Sequence, residues 1–111
     1  MKVLMLNGSP HKNGCTNAAL EVIASELKSQ GVESEIVWRG NGPVRGCIGC
    51  CGCRRNGKDR CVFGDDGVAD IAEKFKEADG YIFGAPVHYA SPNGATVSAL
   101  DRIFYSAGKY M

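Results

Sequence analysis

The order of apolar runs and helical periodicities along the chain predicts an α/β domain, with parallel strands in the order 2-1-3 and helices on both faces of the sheet. Three observations carry that expectation. Short strand-like runs alternate with segments of helical spacing, the strand ends open into glycine-bearing loops, and no internal repeat interrupts the sequence. Such alternation calls for parallel strands joined by right-handed crossovers, with ligands beyond the carboxyl ends of the strands at the switch point.

The first strand is the apolar run Val3 to Leu6, which stops at a polar loop. An amphipathic helix begins near Thr16, with Leu20, Ile23, Ala24 and Leu27 at helical spacing and Gly31 as its stop. Val32 to Trp38 is rich enough in β-branched residues to read as the second strand, and Asn41-Gly42-Pro43 breaks it. The cysteine-rich segment, residues 40–64, carries no periodicity and reads as a loop. Asp65-Asp66 starts a second helix with Val68, Ile71 and Phe75 on one face. Gly80 to Gly84 encloses a short buried strand. After a loop from Pro86 to Gly94, Val97, Leu100, Ile103 and Phe104 line a third helix from about Asn93 to Ser106. Every candidate motif falls on one of three loops at the carboxyl edge: 7–16, 39–64 and 84–94.

The composition excludes several classes. A chain of 111 residues is one domain, and 44% hydrophobic with 23% charged residues is ordinary globular material. Thirteen basic against twelve acidic residues leave +1, which is no footprint for nucleic acid or an acidic membrane. The start lacks the apolar stretch of a signal peptide, no run approaches the roughly 20 residues of a membrane span, and a cytoplasmic protein is expected. Five of the six cysteines crowd between Cys47 and Cys61, which suits a metal or redox site better than a disulfide framework.

The loop after the first strand, Asn7-Gly8-Ser9-Pro10-His11-Lys12-Asn13-Gly14-Cys15-Thr16, leads into a helix N-terminus, where free backbone amides and the positive end of the helix dipole suit a phosphate. The plainer reading is that Gly8 and Pro10 turn the chain and Thr16 caps the helix. The loop is neither a Walker A sequence nor a dinucleotide fingerprint. A mononucleotide held by a Ser/Thr-rich loop remains open.

Three motifs together resemble the flavodoxin-like NADPH-dependent FMN reductase family, and within it the iron–sulfur flavoprotein branch. Gly8-Ser9-Pro10-His11-Lys12-Asn13-Gly14-Cys15-Thr16 resembles the family's phosphate loop. Gly84-Ala85-Pro86-Val87-His88-Tyr89-Ala90-Ser91-Pro92-Asn93-Gly94 resembles the loop against the isoalloxazine ring, and Leu100-Asp101-Arg102 the signature on the helix after it. The resemblance implies a flavodoxin-like three-layer fold with FMN as cofactor. Its candidate flavin residues are Ser9, His11, Lys12, Cys15, Thr16 and Asn17 in the first loop, with Pro86, Val87, His88, Tyr89, Asn93 and Gly94 in the third. Ser9 and Thr16 would bind the phosphate; Pro86, Val87 and Tyr89 would meet the ring; Asn93 and Gly94 would close the pocket. His11 stands where the family usually has Arg and Cys15 where it has Asn, while Lys12 supplies a charge beside them. His88 and Tyr89 also have plain readings as exposed loop residues.

Cys47-x2-Cys50-x2-Cys53-x7-Cys61 resembles the compact iron–sulfur spacing of that branch, and its first three members match the bacterial ferredoxin run. The resemblance implies a [4Fe–4S] cluster on Cys47, Cys50, Cys53 and Cys61, with Cys51 spare. Zinc could use the same four sulfurs, and a metal-free loop whose thiols only pack is a further alternative. The function expected is an FMN-dependent oxidoreductase passing electrons from NAD(P)H to a flavin, quinone or protein acceptor. The alternatives are a non-enzymatic electron carrier and a flavin-free remnant that binds metal or a partner. The sequence ends where a fourth strand of the order 2-1-3-4-5 is expected. A fold truncated after its third helix leaves an apolar edge at Tyr81 to Phe83, so a homo-oligomer is expected.

Overall fold

A computed structural model describes all residues, 1 to 111. Strand β1 (Lys2–Asn7) leads to helix α1 (Cys15–Ser29), β2 (Glu33–Trp38), a single turn α2 (Gly52–Arg55), α3 (Val68–Lys76), β3 (Gly80–Gly84) and α4 (Gly94–Ala107), with a 3₁₀ turn at Gly108–Tyr110. The sheet order is β2-β1-β3, all parallel, with Met5 opposite Ile36 on one side and Ile82 on the other. The expected 2-1-3 sheet is therefore present, in the flavodoxin-like arrangement.

The central strand explains the layering. Successive side chains of a strand point to opposite faces, so β1 feeds two cores. Val3 and Met5 join Leu20 under α1, with Ile23, Ala24 and Leu27 against them. Leu4 and Leu6 join Val68, Ile71, Ala72 and Phe75 of α3 with Ala99, Ile103 and Ala107 of α4 on the other face. A strand buried on both sides must read as a continuous apolar run, which is why Val3 to Leu6 carries no alternation.

Three details differ from the sequence reading. The cysteine segment is not wholly loop, because Gly52–Arg55 closes one helical turn. The molecule thus has four α-helices rather than three; four residues are too few to leave a periodic signal. The helix expected at Asp65-Asp66 begins at Val68, whose amide donates to Asp66 Oδ1 at 3.2 Å. On α4 the buried side is Thr96, Ala99, Arg102, Ile103, Ser106 and Ala107. Val97 and Phe104 stay 42% and 45% exposed, although Phe104 meets the edge of Phe83 at 5.5 Å between ring centroids. Apolar spacing alone does not show that face, because half of what α4 buries is polar. No helix is long and apolar enough to cross a membrane.

Phe75 is fully buried between Tyr81 and Phe83, both at 5.5 Å between centroids. Truncating such a ring removes its transfer energy and leaves a cavity. Phe75→Ala is expected to lower unfolding free energy by about 3–5 kcal/mol, read as a drop in urea midpoint at unchanged slope.

Candidate flavin and cysteine site

The loops after β1 and β3 meet at the switch point and are bonded to each other. Gly8 N–H donates to Gly84 O at 2.8 Å. Gly8 O accepts from Asn93 Nδ2 at 3.0 Å and lies 3.1 Å from the Thr96 hydroxyl, which also sits 2.6 Å from Asn93 Oδ1. A Cβ at position 8 would lie 1.9 Å from Thr96 Oγ1, so only glycine lets α4 approach this closely. Asn93 is thus buried and holds one loop to the other, while Gly94 is exposed at the start of α4.

Asn7, fully buried, organises the first loop from inside. Its Oδ1 accepts the Ser9 amide at 3.0 Å and its Nδ2 donates to Lys12 O at 3.2 Å. Ser9 Oγ accepts the His11 amide at 3.0 Å, which leaves the Ser9 proton available to a ligand. Trp38 Nε1 donates to Ser9 O at 2.8 Å, and Lys12 Nζ lies 5.7 Å from the Trp38 ring centroid. Helix α1 is capped by Gly14 with no side-chain bond, so Thr16 is its second residue and not its cap. The first intrahelical amide bond runs from Ala18 to Gly14 O. The amides of Cys15, Thr16 and Asn17 are left as donors at the positive end of the dipole, which fits a phosphate. His11, Lys12 and Cys15 are exposed around them, and Thr16 and Asn17 half-buried.

The third loop folds back on itself through a bridge between Val87 and Pro92, with Asn93 N–H donating to Pro86 O at 3.0 Å. Pro86 is half-buried, His88 is exposed, and Val87 and Tyr89 are 70% and 90% exposed. These apolar groups stand at the carboxyl edge of the sheet, but no cavity lies between this loop and the first one.

The five clustered cysteines all line one small pocket, together with Ile48, Val62, Phe63, Arg102, Tyr105 and Ser106. All are free thiols. No three of them converge on a common point at metal-binding distance. Cys51 adopts the left-handed region at φ 59° and starts α2, turning the chain between Cys50 and Cys53. Gly52 lies so close to Val62 that a Cβ would sit 2.9 Å from its Cγ1, which brings the far limb of the loop onto α2. The sulfurs also differ in their bonding. Cys47 Sγ accepts the Gly49 amide at 3.4 Å, Cys50 Sγ the Gly52 amide at 3.5 Å, and Cys61 Sγ accepts from Arg102 Nε at 3.3 Å. Cys51 Sγ instead lies 3.7 Å from Gly49 O and 3.4 Å from Tyr105 Oη. Three of the four expected ligands are therefore N–H acceptors and Cys53 is buried, while the spare cysteine is bonded elsewhere. An all-sulfur donor set with N–H bonds to its sulfurs fits an iron–sulfur cluster.

Arg102 is the residue that sequence reading missed. Its side chain is 1% exposed and pairs with Asp66, which is 12% exposed. It also donates to Arg45 O at 3.3 Å and to Phe63 O. The signal was the Leu100-Asp101-Arg102 motif, but nothing in the motif said that its arginine points inward. Burial opposes both charges of the pair. The Arg102 bond and the Val68 amide nonetheless hold the Asp66 carboxyl below its usual range, and Asp66 and Cys61 keep Arg102 more firmly protonated than a free guanidinium.

A parallel sheet of order 2-1-3 with an open helix N-terminus at its switch point, and a thiol-lined pocket against α4, define an α/β domain of the flavodoxin-like class. Comparison with known proteins gives the family. The family described as NADPH-dependent FMN reductase matches residues 1–111, and the chain belongs to that family. It is 37% identical over 106 residues to an iron–sulfur flavoprotein of Methanosarcina thermophila, covering 92% of this chain and 52% of that protein. An iron–sulfur flavoprotein of Archaeoglobus fulgidus is 36% identical over 106 residues, with 92% and 48% covered. One from Methanocaldococcus jannaschii is 34% identical over 102 residues, with 92% and 51% covered. The chain spans about half the length of the curated relatives it matches.

Because the Asp66 carboxyl is depressed in the folded protein, its contribution is complete above the unfolded carboxylate value of about 3.9 and is lost as pH falls through the folded value. Asp66→Asn strands the buried Arg102 charge. It is expected to cost about 3 kcal/mol at pH 7 and to flatten the acid limb of a thermal-stability profile below pH 4.

Proposed function

We propose that this chain carries the FMN phosphate loop and a [4Fe–4S] site of an oxidoreductase that takes electrons from NAD(P)H and delivers them to a flavin, quinone or protein acceptor. The observation that carries the reading is the differential bonding of the cysteines. Cys47, Cys50 and Cys61 accept N–H bonds, whereas Cys51, which lines the same pocket, lies against Gly49 O and Tyr105 Oη. The relatives named above as iron–sulfur flavoproteins support it.

When bound, FMN would accept a hydride and the cluster would carry single electrons, chemistry that belongs to the cofactors. The chain's part is to hold and orient. The α1 amides, the Ser9 hydroxyl and Thr16 would anchor the phosphate, with Lys12 adding charge. Pro86, Val87 and Tyr89 would offer an apolar face to the ring. Cys47, Cys50, Cys53 and Cys61 would hold the cluster, and the amides of Gly49 and Gly52 would stabilise charge on its sulfurs.

Anaerobically prepared protein is expected to show both flavin bands and a broad iron–sulfur shoulder, with about four irons per chain for a cubane centre. The iron should be lost in Cys50→Ser and kept in Cys51→Ser. Stoichiometric zinc, or equal iron loss in both variants, would refute the ligand assignment. NADPH oxidation with a quinone acceptor separates an enzyme from an electron carrier.

Ser9→Ala and Thr16→Ala are each expected to weaken FMN binding by about 1–3 kcal/mol, as for any lost bond to a charged group, and His11→Arg to tighten it. Fluorescence titration of the flavin measures all three. Unchanged affinity throughout would move the phosphate elsewhere.

A further inference from the structure

The cysteine loop has two halves with different supports. Cys47 and Cys50 accept N–H bonds from amides two residues further along, so their half is organised by its own backbone. Cys61 follows Cys53 only after seven residues, of which Arg54 to Lys58 are exposed. Its N–H partner is Arg102 Nε, 41 residues away on α4. Arg102 is also the group that joins the two limbs of the loop. It donates to Arg45 O ahead of Cys47 and to Phe63 O beyond Cys61, and the Arg45 guanidinium lies 4.0 Å from the Phe63 ring centroid. The single Nε proton points at sulfur and the two Nη groups are engaged by carbonyls and Asp66, so the guanidinium cannot turn away without stranding buried donors.

We propose that Arg102 is a positioning residue for the fourth cysteine: its Nε–H fixes Cys61 Sγ in the pocket wall and, with a cluster bound, stabilises negative charge on that sulfur. The inference rests on the reading of Cys61 as a ligand. A bond from a charged donor is stronger than one from an amide, and hydrogen bonds to the sulfurs are among the factors that set a cluster's potential. Lysine cannot substitute, because a point charge lacks the fork that holds sulfur, carboxylate and carbonyls together.

The test uses the full chain reconstituted anaerobically with iron and sulfide. Arg102→Lys keeps the charge and loses the N–H to sulfur. It is expected to release iron to a chelator about 10-fold faster or more, the usual effect of losing a partner of a metal ligand, and to lower the cluster's reduction potential. Asp66→Asn serves as the structural control: it breaks the ion pair but leaves the bond to Cys61, so it should lose thermal stability without lowering the potential. Parallel behaviour of the two variants would reduce Arg102 to a structural role and overturn the inference. So would an unchanged potential and release rate in Arg102→Lys. Wild-type protein that takes up no iron would overturn the ligand reading and the inference with it. If Arg102→Lys does not fold, wild-type protein labelled with ¹⁵N at arginine Nε and reduced gives the answer by pulsed electron paramagnetic resonance. A nitrogen hyperfine coupling from arginine is expected, and its absence contradicts the bond.

Discussion

One buried guanidinium holds the functional half of this molecule together. A charge removed from water costs several kcal/mol unless it is paired and its protons are all directed at acceptors. Arg102 meets that condition only when Asp66, Arg45 O, Phe63 O and Cys61 are in place at once. The long connection between β2 and α3 contains one helical turn and little else that is regular. Its shape is set by the demand of a fixed side chain on α4 rather than by its own propensities. The pocket that the five thiols line follows from that constraint.

The same helix governs the other half of the site. Thr96, six residues before Arg102, approaches Gly8, and Asn93 at the start of α4 binds the same carbonyl. Helix α4 therefore fixes the loop after β1 with its beginning and the cysteine loop with its middle. Its buried side has Ala99, Ile103 and Ala107 for the core and Thr96, Arg102 and Ser106 for the loops. A single rigid helix thus sets the separation of the two loops.

Most of the frame was legible in the sequence because its signals are physical constraints on the chain. A strand buried on both faces must be apolar throughout, as Val3 to Leu6 is, and α1 and α3 announce themselves by period. The cysteine spacing and the loop before α1 pointed to chemistry because few other uses need those residue types so close. What stayed hidden depends on contacts between distant residues. Apolar spacing on α4 picked out Ile103 together with the half-exposed Val97 and Phe104, and gave no sign that Thr96, Arg102 and Ser106 are buried beside Ala99, Ile103 and Ala107. Asn93 was expected beside a ligand, and its amide is bonded to Gly8 O, a pairing 85 residues apart that no local pattern encodes. Arg102 sat in a recognised motif without a role, since helical period alone cannot distinguish a buried arginine from a solvated one.

The central claim is that the Arg102 guanidinium is fixed and dry, with its protons held by the two limbs of the cysteine loop. Arginine side-chain ¹H–¹⁵N spectra at neutral pH observe that directly, because exposed guanidinium protons exchange quickly with water and their Nη signals merge by rotation. Arg102 is expected to give a persistent Nε–H signal and separately resolved, slowly exchanging Nη protons, unlike the exposed Arg54 and Arg55. An Arg102 signal that exchanges and averages like those two would mean that the guanidinium is mobile and that something else shapes the loop.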